Sequence, residues 1–232
     1  MIKTIPIKNY CSIENLKAFF SLCKPRVNAL IVFTAVIGMF LSTPGMMSLN
    51  ILISTILGIG FVSGAAAAFN CLIEEKIDAR MARTRGRPLP MGKVSQHETI
   101  FFATILGSLG LFILFYFVNF LTMWLTALTF FAYAVIYTIF LKRYSIYDIH
   151  IGSISGSMPP LIAYFFISNQ IDFESIMLFI IFSLWQIPHS LAITLYRCDD
   201  YQKANILISP IKKGFHKTTL DILFWIILFF IF

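Results

Sequence analysis

The sequence predicts an all-α integral membrane bundle with about seven transmembrane helices, and three observations carry that expectation. Of 232 residues, 58% are hydrophobic and 12% charged, with 25 Phe, whereas a soluble domain is about 25% charged. Apolar stretches long enough to cross a bilayer recur along the whole chain. The Lys and Arg residues are confined to alternate connections between those stretches. A water-soluble globule of this size has too much surface for so few charged side chains. Disorder is excluded by the same figures, since disordered chains are poor in apolar residues.

A helix needs about 20 apolar residues to cross the hydrocarbon core. Such stretches fall at 27–43, 49–73, 99–118, 121–141, 150–168 and 174–196. A seventh begins near Thr219 and runs to Phe232. At 1.5 Å per residue it reaches about 21 Å, short of the roughly 30 Å core, so the 1–232 unit is expected to be incomplete at its C-terminus. The second stretch holds Gly64-Ala65-Ala66-Ala67-Ala68 and the fifth Gly152, Ser153, Ser155, Gly156 and Ser157. Small residues let membrane helices approach closely. Pro159-Pro160 and Pro188 free backbone groups inside helices, which points to kinks beside a cavity.

The connections set the orientation. Ser42 to Ser48, Val118–Asn119 and Ser168 to Ser175 contain no Lys or Arg, whereas the N-terminus and the segments 74–98, 142–148 and 197–218 hold all 18. Basic residues mark cytoplasmic loops, so the N-terminus is expected to be cytoplasmic. The net charge of +7 then divides into +9 on that side and −2 on the other, from Asp172 and Glu174. It is an orientation signal, and no nucleic-acid partner is expected. The first 23 residues lack the charge, apolar core and cleavage site of a signal peptide, which makes a bacterial inner membrane the expected location. Cys11, Cys23, Cys71 and Cys198 show no C-x-x-C spacing, and neither zinc binding nor covalent haem attachment is signalled.

The chemistry concentrates where the second stretch ends. Asn70, Glu74 and Asp78 are spaced four and four, which aligns three oxygen-bearing side chains on one helical stripe. Oxygen ligands of that kind suit Mg²⁺, which often bridges protein carboxylates to substrate phosphates. Arg80, Arg83, Arg85 and Arg87 follow, and Arg grips phosphate oxygens bidentately. A solvated loop accounts for some of these arginines. It accounts poorly for an asparagine near membrane depth, where polar groups are costly.

The stretch Asn70-x3-Glu74-x3-Asp78-x2-Met81-x-Arg83-Thr84-x2-Arg87-Pro88 resembles the first signature of the UbiA superfamily of intramembrane aromatic prenyltransferases. The resemblance is closest to its protohaem IX farnesyltransferase branch. Lys24-Pro25-Arg26, Tyr137-Thr138-x2-Leu141-Lys142-Arg143, Ile151 to Pro160, Trp185-Gln186-Ile187-Pro188-His189 and Asp200-Tyr201-x2-Ala204-Asn205 extend it in the family's order from about residue 18 to 217. The chain departs from the pattern at Glu75 and Lys76, where the family commonly has a basic and then an acidic residue. It is also about two helices short of the family's nine.

The resemblance implies a single UbiA-type transmembrane prenyltransferase domain that moves the farnesyl group of farnesyl diphosphate to a vinyl group of protohaem IX, giving haem O. It implies Mg²⁺ as cofactor, held through the diphosphate by Glu74, Asp78 and Asp200, with Asn70 beside them in the catalytic set. Arg83, Arg87, Lys142, Arg143 and Arg197 would grip the diphosphate, and His189 and Trp185 would lie on the haem side. Implied partners are membrane lipid and haem A synthase or haem–copper oxidase assembly. Two alternatives stay open: a UbiA-type enzyme with another aromatic acceptor, and an inactive shortened homologue serving as a membrane or haem-binding scaffold.

Overall fold

A computed structural model describes residues 13–42, 45, 47–141, 148–168, 172–206 and 208–232. Within them the chain is helical without strands. Helix α1 (Ile13–Leu22) and α2 (Pro25–Leu41) meet at a 52° bend. Pro25 opens α2, and the residue before a proline is pushed out of the right-handed α region. Lys24 takes the left-handed conformation instead, at φ 47°. Helix α3 (Leu49–Ile73) is capped by Ser48, whose side chain accepts from the Ile51 N–H, and a four-residue turn, α4 (Glu75–Asp78), follows it. Helix α5 (Gln96–Phe117) starts on a reciprocal Ser95–Glu98 capping box.

Helix α6 (Phe120–Phe131) begins on Asn119 and continues without a break as a π-helix over Ala132–Leu141. Helix α7 (Asp148–Ser168) contains Pro159 and Pro160, and α8 (Phe173–Tyr196) contains Pro188. Two short helices, α9 (Cys198–Lys203) and α10 (Ser209–Lys213), lead into α11 (Phe215–Ile231).

Among the described residues, α3, α5, the run Phe120–Phe140 and α8 are long and apolar enough to cross a membrane. The bent α1–α2 pair is a fifth span if counted as one. The stretches expected at 150–168 and 219–232 are helical, as α7 and α11, but fall outside that set. Gly and Ser dilute the first half of α7, and α11 has 17 residues. The expected fold class stands, with four helices, or five with the bent pair, meeting that measure among the described residues.

Helix α3 lies along α5, α2 packs on α7, α7 on α8, and α8 on α11. Close approach depends on missing side chains: a Cβ on Gly110 would lie 2.8 Å from the Gly58 carbonyl oxygen across the α3–α5 contact. On the outside, α5 exposes Phe101, Ile105, Leu109, Phe112 and Phe115, a continuous apolar surface suited to lipid. The segment from α4 to α5 is anchored, since Met81, Thr84, Leu89 and Val94 are all buried.

At the start of α8 the Ser175 N–H donates to Asp172 Oδ1 at 2.9 Å, and the Tyr164 hydroxyl donates to Oδ2 at 2.8 Å. The backbone bond above all holds the Asp172 carboxyl below its ordinary range. A depressed carboxylate stabilises the fold above its unfolded pKa of about 4 and loses that contribution as pH falls further. Thermal unfolding in detergent should therefore weaken more steeply between about pH 5 and pH 3 in the parent chain than in Asp172→Asn, which keeps the cap's oxygen without its charge. Equal slopes would remove Asp172 from the account.

Candidate active site

The stripe Asn70, Glu74 and Asp78 is built across a break. Helix α3 ends at Ile73, Glu74 leaves helical geometry at φ −93° and ψ 3°, and its carbonyl then accepts from the N–H groups of Ile77 and Asp78 to start α4. The three side chains remain together on one wall and are almost wholly enclosed, at 2%, 6% and 2% exposure. They line a cavity of about 480 Å³ between α2, α3, α6, α7 and α8. That volume lies in the range of small-molecule sites.

One end of this cavity is charged, and the rest is mainly apolar with neutral polar side chains set into it. Asp78 Oδ2 accepts from the Arg87 guanidinium at 2.5 Å, and the Thr84 hydroxyl donates to the Asp78 carbonyl at 3.0 Å. Lys24 Nζ donates to Asn70 Oδ1 at 2.5 Å, so the left-handed turn before α2 aims an ammonium at the stripe. Arg83 lines the same end. Asn70 Nδ2 is buried and has no hydrogen-bond partner among the described residues, a costly state unless a ligand accepts from it. Away from this end the wall is formed by Ile31, Ile59, Val62, Phe130, Pro159 and Ile162.

Helix α8 turns a different face inward than its motif suggests. Trp185 and His189 stack on each other, with ring centroids 4.9 Å apart and planes at 11°. Both are exposed on the outer side, and neither lines the cavity. Gln186 and Ser190 line it instead, since one residue along a helix is a rotation of about 100°. The same rotation acts on α9, where Tyr201 reaches the cavity and Asp200 does not. Among the described residues no three His, Cys, Asp or Glu gather as a direct metal site, and of Glu74, Asp78 and Asp200 the first two line the cavity. Arg197 lies with its guanidinium 4.7 Å from the Tyr196 ring centre, away from the cavity wall. Lys142 and Arg143 lie outside the described residues.

Several cavity residues stand outside the sequence motifs. On the π-helical segment, Tyr133 and Tyr137 stack at 5.5 Å and both line the cavity, a placement in keeping with the frequency of π-segments at functional sites. Asn28 donates to the Gly60 carbonyl at 2.9 Å and accepts from the Ser63 hydroxyl. Asparagine and glutamine within apolar stretches are the signal that finds Asn28 and Gln186, since polar groups at that depth are expensive without a role.

The class these features define is a membrane-embedded helical bundle enclosing a cavity that is charged at one end and mainly apolar beyond it. The chain belongs to the UbiA prenyltransferase family, whose sequence profile matches residues 31–232. It is 50% identical to the protohaem IX farnesyltransferase of Nitrosomonas eutropha, covering 92% of this chain and 72% of that protein. It is 46% identical to the protohaem IX farnesyltransferase of Aromatoleum aromaticum, covering 98% and 75%. In fold it is similar to a UbiA homologue from Archaeoglobus fulgidus solved with GPP and Mg²⁺, with a TM-score of 0.71, 15% identity and coverage of 92% and 75%.

Proposed function

We propose that this chain transfers the farnesyl group of farnesyl diphosphate to a vinyl group of protohaem IX, giving haem O and diphosphate. The observation that carries the reading is the cavity with Lys24, Arg83 and Arg87 beside Glu74 and Asp78 at one end and apolar walls beyond. A prenyl diphosphate has that same division of charge along its length. Relatives near 50% identity bear the protohaem IX farnesyltransferase name, which supports the acceptor.

Arg83, Arg87 and Lys24 neutralise the diphosphate as the carbon–oxygen bond breaks and its electron pair departs with the leaving group. The apolar wall holds the C15 chain and limits water around the allylic cation. The terminal vinyl carbon attacks the farnesyl C1, leaving a cation beside the porphyrin ring, and water adds there to give the hydroxyethylfarnesyl chain. The proton released goes to diphosphate. No nucleophilic side chain takes part.

The donor set fits a hard dication. Two buried carboxylates, Glu74 and Asp78, stand on the cavity wall, and Mg²⁺ binds through one or two carboxylates together with substrate phosphates. Glu74 and Asp78 would hold it, and it would supply charge neutralisation on the departing group. We place the N-terminus in the cytoplasm and the chain in a bacterial inner membrane, on the alternation of basic connections. Haem A synthase or oxidase assembly would consume the product.

Membranes containing the chain, supplied with farnesyl diphosphate, protohaem and Mg²⁺, are expected to yield haem O by chromatography and mass spectrometry. Chelation should stop the reaction and added Mg²⁺ restore it. Intact protein that makes no farnesylated haem defeats this reading.

A further inference from the structure

Two buried polar atoms on the cavity wall lack hydrogen-bond partners among the described residues, Asn70 Nδ2 and Gln186 Oε1. Asn70 Nδ2 is a donor at the charged end, where the diphosphate of the proposed reaction would accept from it. Gln186 Oε1 is an acceptor, and it lies about 15 Å along α8 from Tyr196 at 1.5 Å per residue, well inside the bundle. An enclosed carbonyl oxygen without a donor is costly. Its position is also built for, because a Cβ on Gly156 of α7 would fall 2.2 Å from both Gln186 Nε2 and Oε1. Only glycine leaves room for the carboxamide at that place.

The missing partner must carry a hydrogen to donate. Resting on the proposed reaction, three reactants enter the cavity. Farnesyl diphosphate is a hydrocarbon with an anionic head, and the haem presents an apolar ring and carboxylates; water alone offers an O–H to a mid-cavity acceptor. We propose that Gln186 is the positioning residue for the water that captures the porphyrin-side cation. By accepting one O–H, Oε1 directs an oxygen lone pair at the carbon and favours the positive charge that develops on the water as the bond forms. The amide does not take the proton, which passes to the released diphosphate. A cation not met by water instead loses a proton from the newly formed CH₂ to the same base, leaving an alkene lighter than haem O by one water.

The test reads the ratio of these two products. In Gln186→Leu the hydroxylated product should form about tenfold more slowly, the worth of one hydrogen bond, and the alkene should rise in its place. Gln186→Glu keeps an acceptor oxygen and should retain more hydroxylated product than the leucine variant. Gly156→Ala, which forces the carboxamide aside without altering its chemistry, should shift the ratio as Gln186→Leu does. Reaction in ¹⁸O water should label the hydroxyl in the parent chain. A purely structural role would lower both products together, so an unchanged ratio in Gln186→Leu and Gly156→Ala overturns this inference while leaving farnesyl transfer intact. Failure of the parent chain to farnesylate haem overturns the proposed reaction instead, and this inference with it.

Discussion

Asp78→Asn is expected to lower kcat/KM for farnesyl transfer by about a thousandfold, while costing little of the fold. The carboxylate is 2% exposed, and its Oδ2 accepts from Arg87 at 2.5 Å. Deleting one member of a fully buried ion pair costs about 3–5 kcal/mol because a charge is stranded. Arg87 is not stranded here, since 23% of its side chain meets solvent and the asparagine oxygen still accepts from it. The stability loss should therefore stay near 1 kcal/mol. A thousandfold loss of rate corresponds to about 4 kcal/mol at the transition state, so the two effects separate by size.

The difference follows from what Asp78 does in each state. In the resting fold it is one end of a hydrogen bond that a neutral oxygen can replace. In the reaction, the proposed diphosphate site loses a formal charge at the point where leaving-group charge must be organised, and no rotamer of asparagine restores it. Thermal unfolding in detergent and haem O formation, measured on the same preparation, check both halves. Full activity in Asp78→Asn would remove the residue from the proposed metal-holding pair. A double change with Arg87→Gln should cost less than the product of the single effects, because the two side chains act as a unit.

How much of this site is legible depends on which physical signal each residue leaves in the sequence. Asn70, Glu74 and Asp78 are readable because neither helix packing nor loop solvation calls for polar groups every four residues at the end of an apolar run. Their enclosure at one cavity wall survives even the break of the helix at Glu74. Trp185 and His189 face away from the cavity, and their motif does not tell this for a reason particular to membranes. Lipid and protein interior are equally apolar, so hydropathy does not mark which face of α8 turns inward. The neighbouring pair Gln186 and Ser190 does so. The same ambiguity of phase holds on a six-residue helix, α9, where Tyr201 lines the cavity and Asp200 does not. The π-helical run 132–141 carries no composition signal either. Its register brings Tyr133 and Tyr137 together and is fixed by packing, with α7 leaving space at Gly152, where a Cβ would meet Tyr137 at 2.7 Å.

The small residues of the bundle lead to the second large effect. Gly38→Ala is expected to destabilise the fold by about 1–3 kcal/mol, the usual cost of overpacking. In an isolated helix the same change stabilises by up to about 1 kcal/mol, so the sign depends on what the new methyl meets. A Cβ at Gly38 would lie 2.1 Å from the Pro160 carbonyl oxygen and 2.9 Å from its carbon. Both are backbone atoms, so no side-chain rotation relieves the contact, and α2 and α7 must part by roughly 1 Å in an interior that is close-packed. Those two helices are also walls of the cavity, through Ile31 on α2 and Gly156, Pro159 and Ile162 on α7. Parting them should weaken farnesyl transfer as well as lower the unfolding temperature. Gly45→Ala is the matching control, because no described residue lies within 4 Å of a Cβ there. If both variants unfold at the parent temperature, α2 and α7 do not cross at Gly38 and Pro160. If Gly38→Ala alone unfolds early and the cavity-directed activity falls with it, the glycine is the residue that lets the two walls meet.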